Sequence, residues 1–182
     1  MKKTKVKHPW HEISYGKKAP KEVTAFIEVS KESMLKYELD KDSGHLKLDR
    51  VLYSAVHFPG DYGFIPQTLS EDKDPLDIII ISNFPILPGV LVKARPIGVL
   101  EVIDNNERDQ KIIAVYSKDP RMDKRKDIKD FSKHVILEIK HFFETYKTLQ
   151  RKKVKILSIK GKNAAEKEIL KAIETYKKKF ID

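Results

Sequence analysis

The chain has 182 residues, with 37 Lys and Arg against 27 Asp and Glu, a formal net charge of +10, and no cysteine. That length suits one well-buried domain. The missing thiols exclude disulfides and thiolate metal sites and agree with a reducing, cytoplasmic compartment. The positive excess raises the local concentration of anions, whether nucleic acid, nucleotide, phosphate or acidic lipid, without choosing among them. The basic N-terminus, MKKTKVKHPW, is followed by no apolar stretch, so it lacks the core of a secretory signal. The longest apolar segment, Ile78 to Ile81, is too short to cross a bilayer, so no membrane partner is expected.

Residues 1–21, rich in Lys and Pro, read as a basic arm, and 22–182 as a single domain. Val23 to Val29 is rich in β-branched and aromatic residues and predicts a strand. Leu46 to Tyr53 alternates, which turns Leu46, Leu48 and Leu52 inward. Leu76 to Ser82 is almost continuously apolar, the pattern of a strand buried on both faces. Val90 to Arg95 and Gly98 to Ile103 predict two more strands separated by Pro96. Lys111 to Tyr116 pairs with the second of these across a hairpin loop at 104–109, where Asn105 and Asn106 suit the turn. A last strand is expected at Val154 to Ile159.

Two helices follow from periodicity. Apolar residues at 128, 131, 135, 139, 142, 146 and 149 mark one face of a helix from Ile128 to Leu149. A second runs from Asn163 to Phe180, with Asn163 and Glu166 resembling a capping box. Strands first and helices late give an α+β, mainly β fold: a small barrel or sheet with helices packed on one side.

The chemistry concentrates in Glu71-Asp72-Lys73-Asp74-Pro75-Leu76-Asp77, directly before the most apolar strand. Asp72 and Asp74 share a side if the segment is extended, and Pro75 favours that conformation for Asp74. Crowded carboxylates repel where screening is poor, and a hard divalent cation between their oxygens relieves this. Alone, the run also fits an acidic turn facing solvent. Asp104 and Asp109 form a second pair beside the hairpin, with Lys111 two residues on. Lys36 and Glu38, after a strand end, with Arg50, Tyr146 and Lys147, supply cations and hydroxyls, each with an ordinary surface or core explanation when taken singly.

Taken jointly these segments resemble the family I soluble inorganic pyrophosphatases of the prokaryotic type. Asp72 to Ile78 matches the signature Asp-x-Asp-Pro-x-Asp. The likeness continues through Phe26-Ile27-Glu28, Lys36 to Asp40, Asp49-Arg50, Phe58 to Pro66, Arg95 to Leu100, Asp104 to Lys111 and His141 to Lys147. It covers about residues 20–177, in order. The resemblance implies an OB-like closed five-stranded barrel with two flanking helices. It also implies hydrolysis of inorganic pyrophosphate to two orthophosphates with several Mg²⁺ ions per site, Mn²⁺ or Zn²⁺ as substitutes, and Ca²⁺ as an inhibitor. Carried over by motif, Asp72, Asp77, Asp104, Asp109 and Glu28 hold metal. Asp74 is the general base. Tyr62 is catalytic beside it, and Glu38 and Phe58 line the site. Lys36, Arg50, Lys111, Tyr146 and Lys147 grip phosphate oxygens.

Three positions depart from the common pattern: Phe58 where Tyr is frequent, Asp61 where Asn is frequent, and Lys73 in a slot often small. The resemblance further implies a homo-oligomer, a hexamer built as two trimers, with His141 near the trimer contact. The alternative is a noncatalytic OB-like module binding nucleic acid, which would want exposed aromatics interleaved with Lys and Arg along strands. Here the aromatics fall on helix faces and beside acids, so nucleic acid is not the expected partner.

Overall fold

The structure, a computed structural model, describes residues 7–104 and 106–181. Among the described residues, eight strands and two α-helices follow in chain order: β1 (Val23–Val29), β2 (Leu35–Leu39), β3 (Leu46–Val51), β4 (Asp61–Phe64), β5 (Asp77–Ile81), β6 (Leu91–Asp104), β7 (Glu107–Tyr116), α1 (Lys133–Thr145), β8 (Val154–Gly161) and α2 (Lys162–Phe180). β1, β4, β5, β7 and β6 hydrogen-bond in that order, and β6 pairs back with β1, so five strands form a ring. β8 adds a sixth strand beside β6, and β2 and β3 form a separate hairpin. The mainly-β, OB-like architecture with two helices agrees with the expected class.

The run Ile78-Ile79-Ile80 is fully buried because each face of the sheet has its own cover. Ile79, with Leu100, Val102, Ile113 and Val115, packs on Ile139, Phe142 and Phe143 of α1. Ile78 and Ile80, with Ile112 and Ala114, pack on Ala165, Ile169 and Ile173 of α2. Side chains alternate along a strand, so one continuous apolar segment serves two clusters. Each buried isoleucine contributes about 1.5–3 kcal/mol. At Gly63 a Cβ would stand 1.9 Å from the Phe26 carbonyl oxygen, so glycine lets β4 press against β1.

Several boundaries differ from the sequence expectation. The two strands around Pro96 are one, β6, bulged between Pro96 and Gly98. Pro96 needs no ladder N–H there. β1 pairing ends at Ala94, and β8 pairing begins at Gly98. β7 starts at Glu107, so Asp109 lies within the strand opposite Val102, and Asp104 already pairs with Glu107. Asn106 takes a left-handed φ of 67°. Lys36 and Glu38 lie inside β2 rather than after a strand end. Leu48 of β3 is exposed, whereas Leu52 is buried.

The long helix is shorter at both ends. Ile128–Asp130 is a separate 3-10 turn with its own capping box between Asp127 and Asp130. The chain then extends at Phe131, and Ser132 caps α1. Ile128 still joins the α1 cluster, which is why the periodicity ran through the break. Leu149 lies past the helix end and is exposed. α2 is not capped at Asn163. Its N-cap is Gly161, and the Asp127 carboxylate accepts the Lys162 N–H at 3.0 Å from across the chain. A Cβ at Gly161 would meet that carboxylate at 2.7 Å. An anion at a helix N-terminus satisfies free N–H groups and the helix dipole together.

The segment before β1 packs on the domain. Trp10 is buried with Phe26, Leu39, Phe64, Leu69 and Tyr176, and its indole N–H donates to the Thr68 carbonyl at 2.9 Å.

Candidate active site

The ends of the ring strands, the β2–β3 hairpin and the segment after α1 enclose a cavity of about 550 Å³. Glu28, Lys36, Glu38, Tyr62, Asp72, Asp74, Asp77, Asp104, Asp109, Lys111, Tyr146 and Lys147 all line it. Two expected site residues do not. Phe58 is buried in the α1 cluster, with its ring 4.7 Å from Phe142 and 5.5 Å from Tyr62. It shapes the wall behind Tyr62. Arg50 lies opposite Lys36 in the hairpin, pairs with Asp49, and donates to Gln150 Oε1 at 3.1 Å.

Each side chain reaches the cavity for a local reason. Parallel pairing of β5 with β7 sets Asp77 level with Lys111. On the same face of β7 stands Asp109, two residues earlier. The Lys111 ammonium therefore lies 2.6 Å from Asp77 Oδ2, 2.9 Å from Asp109 Oδ2 and 3.1 Å from the Tyr62 hydroxyl oxygen. That hydroxyl in turn donates to Asp77. Burial alone would lower the Lys111 pKa, but Asp109 and Asp77 hold it well above the ordinary lysine value. Burial raises Asp109, and the Asp77 charge adds to that against the pull of Lys111.

Glu28 reaches the cavity through a bulge. β1 pairs with β4 at Ile27 and again at Val29, with the register shifting between them. Its carboxylate accepts the Leu39 N–H at 2.8 Å, which ties the β2–β3 hairpin to the ring. Burial pushes its pKa up to about 8, with Asp77 and Glu38 adding to the rise. Asp72 is raised to about 6, first by burial and then by Asp77, Asp109 and Asp74.

The Asp72–Asp74 segment is a tight turn rather than extended chain. Ser70 N–H donates to Asp74 O at 2.8 Å, and Asp72 Oδ1 accepts the Asp74 N–H at 3.0 Å. Lys73 between them takes φ 70°, the left-handed region that disfavours a side chain. That explains why a small residue suits this slot.

Tyr146 caps α1, stacks on Phe142 and turns its hydroxyl to the cavity, where burial raises its pKa. Lys147 pairs with Asp104 across the chain, and burial lowers its pKa against that partner. Acids and lysines thus alternate around the wall instead of forming two opposite poles. Lys36 pairs with Glu38, Lys41 with Asp74, Lys147 with Asp104, and Lys111 with Asp77 and Asp109. Sequence reasoning missed Lys41, Asp40, Asp42 and Trp10, which also line the cavity. The alternation Asp40-Lys41-Asp42 between two strand patterns was the available signal.

Asp61 is fully buried and does not line the cavity. Its carboxylate accepts Lys31 N–H at 2.9 Å, Ile86 N–H at 2.8 Å and the Ser82 hydroxyl at 2.8 Å, fastening two loops. Burial raises its pKa, against those hydrogen bonds and Lys31. An acid whose folded pKa lies above its unfolded value contributes stability at low pH that is lost as pH rises through the folded value. Asparagine keeps an acceptor for the two N–H groups and offers an amide to Ser82. Asp61→Asn is therefore expected to raise the urea midpoint at pH 7, with the gain shrinking toward pH 4. A gain that is larger at pH 4 than at pH 7 contradicts this account.

The family model described as Inorganic pyrophosphatase matches residues 25–177. Soluble inorganic pyrophosphatase 3 of Arabidopsis thaliana is 44% identical over 169 residues, covering 93% of this chain and 78% of the relative. The crystal structure of an inorganic pyrophosphatase from Thermus thermophilus is similar with a TM-score of 0.88 and 47% identity, over 91% of this chain and 97% of that one. An inorganic pyrophosphatase from Helicobacter pylori is similar with a TM-score of 0.85 and 43% identity, over 96% and 99%. These matches lend no support to a nucleic-acid-binding module. Family model, fold and identity along almost the whole chain agree, and the chain belongs to the inorganic pyrophosphatases, hydrolases that split pyrophosphate into two orthophosphates.

Proposed function

We propose that the cavity carries out this hydrolysis with Mg²⁺, with Asp74 as general base. The observation that carries the reading is the interleaving of Asp72, Asp74, Asp77, Asp104 and Asp109 with Lys36, Lys111 and Lys147 around one space.

The donor set fits a hard divalent cation. It is all carboxylate oxygen, without sulfur or imidazole along the cavity wall. Asp104 Oδ1 is buried without a hydrogen-bond partner among the described residues. The raised pKa of Asp72 comes from burial and neighbouring acids, which a cation would offset. As the side chains lie, no three acids among the described residues are gathered at ligating distance, and lysines stand between them. Asp72, Asp77, Asp104, Asp109 and Glu28 are the residues that would hold the ions. Bound Mg²⁺ would supply an acidified water and neutralise phosphate charge.

The chain's own residues do the rest. Asp74 accepts the proton of the attacking water. Lys36, Lys111, Lys147 and the Tyr146 hydroxyl donate to phosphate oxygens. The loose transition state of phosphoryl transfer is served by this positioning and charge more than by covalent chemistry. Lys111 and Tyr62 orient Asp77 through the contacts already described. Arg50 is placed for phosphate only if it turns from Gln150.

Free pyrophosphate in Mg²⁺ should release orthophosphate, and EDTA should lower the rate roughly 100-fold or more. Ca²⁺ should inhibit, because it is larger, less strict in geometry and acidifies water less. Mn²⁺ and Zn²⁺ are the substitutes to assay. Robust turnover in Ca²⁺ alone, after Mg²⁺ is stripped, rejects the reading. We further assign the chain to the cytoplasm, with a single domain at 22–182 and a basic arm at 1–21. No helix among the described residues is long and apolar enough to cross a membrane. The assembly we assign is a homo-oligomer of two trimers with His141 at a contact. Sedimentation velocity at pH 8 tests it, and a monomer rejects it.

A further inference from the structure

We propose that Lys41 is a positioning residue for Asp74 and that the segment at His8–Trp10 holds it in place. The inference rests on the reading of Asp74 as the general base.

Lys41 stands on the loop between β2 and β3, at the cavity mouth, and its ammonium donates to Asp74 Oδ1. The two side chains are half-exposed, at 51% and 50%. Such an exposed pair contributes little to stability and ordinarily holds no fixed geometry. Here the surroundings fix it.

The loop closes on itself through Gly44 N–H to Asp40 O and Asp40 N–H to His45 O, both 2.8 Å. The N-terminal segment then grips it from outside. His8 Nε2 lies 2.9 Å from the Lys41 carbonyl oxygen, and His8 Nδ1 accepts the Trp10 N–H at 3.2 Å. One tautomer, with the proton on Nε2, satisfies both. Gly44, at φ 71°, sits against the His8 ring, where a Cβ would stand 3.0 Å from Cδ2. The Trp10 ring supports the ammonium from 5.8 Å, a cation–π distance.

The same tryptophan is tied to the other side of the mouth. Its indole N–H donates to the Thr68 carbonyl, and Thr68 Oγ1 accepts the Leu76 N–H at 2.9 Å. Thr68 and Leu76 bracket the acidic turn that carries Asp72 and Asp74. His8–Trp10 therefore bridges the loop bearing Lys41 and the loop bearing Asp74. Lys41 takes one carboxylate oxygen of Asp74, which sets the direction of the other.

Steady-state kinetics of the full chain with pyrophosphate and Mg²⁺ separate this role from phosphate binding. A positioning residue affects turnover, whereas a uniform phosphate contact affects KM. Lys41→Met should lower kcat roughly tenfold and leave KM within about twofold, in keeping with the cost of a misplaced catalytic group. Lys41→Arg should restore most of the rate. His8→Ala should lower kcat in the same direction, by about threefold. In an Asp74→Asn background, Lys41→Met should cost nothing further, because its effect passes through Asp74.

Wild-type kcat for Lys41→Met, a change confined to KM, or a full additional loss in the Asp74→Asn background overturns the positioning role while the base assignment stands. Wild-type kcat for His8→Ala overturns the part given to the N-terminal segment. Near-wild-type activity of Asp74→Asn alone overturns the base assignment itself.

Discussion

Asp74→Asn is expected to lower turnover roughly 100-fold or more, the scale of removing a positioned general base. The substitution keeps size and shape and takes away the proton acceptor. The turn that holds it is built from backbone, through Ser70 N–H to Asp74 O and Asp74 N–H to Asp72 Oδ1, so the variant should keep its fold. KM should change little, because Lys36, Lys111 and Lys147, the proposed phosphate contacts, still line the cavity. Stability in EDTA should hold or rise, since one carboxylate leaves a crowded acidic wall. Initial rates over a pyrophosphate series, with a urea denaturation of the same preparation, measure both. A rate near wild type at neutral pH rejects the assignment.

The second large effect belongs to Lys111, the cation buried between Asp77 and Asp109. Lys111→Met keeps much of the volume and leaves two mostly buried carboxylates without their ammonium. Breaking a buried pair from one side costs about 3–5 kcal/mol, and urea denaturation in EDTA at pH 8 should show a loss of this order. The loss should be smaller at pH 5. Burial and Asp77 already raise the Asp109 pKa, and Lys111 is the main influence opposing them. Without it Asp109 titrates higher still. An acid with a raised folded pKa costs stability as pH rises through that value, so the penalty grows from pH 5 to pH 8. Mg²⁺ should recover part of the stability, because a divalent cation offers the same two carboxylates a partner. Turnover should not recover with it, since the phosphate contact proposed for Lys111 is gone. A pH-independent loss, or one untouched by Mg²⁺, contradicts this account of the cluster.

Much of the site was legible because it is written in side-chain chemistry at short range. The Asp72–Asp77 run, the Asp109–Lys111 spacing and the Tyr146-Lys147 pair fall on consecutive or alternate positions, and a tight turn before β5, the alternation along β7 and the end of α1 carry them to one cavity. Glu28 was legible only through resemblance. Its approach depends on a register shift in β1, which no local pattern announces. Phe58 and Asp61 sit among site-forming segments yet serve the core and two loops: Phe58 precedes β4 and packs in the α1 cluster, and Asp61 points to the side of β4 opposite Tyr62. Lys41 carried a local signal in the Asp40-Lys41-Asp42 alternation, but its contacts did not show in the sequence, for the opposite reason. Its partners His8, Trp10 and Asp74 are distant in sequence, and only folding brings them to it. Helix ends failed where periodicity outran the helix, as at Ile128, which joins the right cluster from a separate turn.

The side-by-side placement of Asp77 and Lys111 on parallel neighbours makes catalysis a reporter of strand alignment. Sliding β5 by one residue against β7 would send Asp77 to the opposite side of the sheet and seat Ile78 beside Lys111. A chain that had collapsed and buried most of its apolar surface, but with this ladder one rung out, would hold the right composition and do no chemistry. During refolding, returning pyrophosphate cleavage should therefore trail the fluorescence change of Trp10 burial whenever ladder alignment is the slower event. Phosphate release then times the arrival of a single correct pairing rather than the gathering of the core.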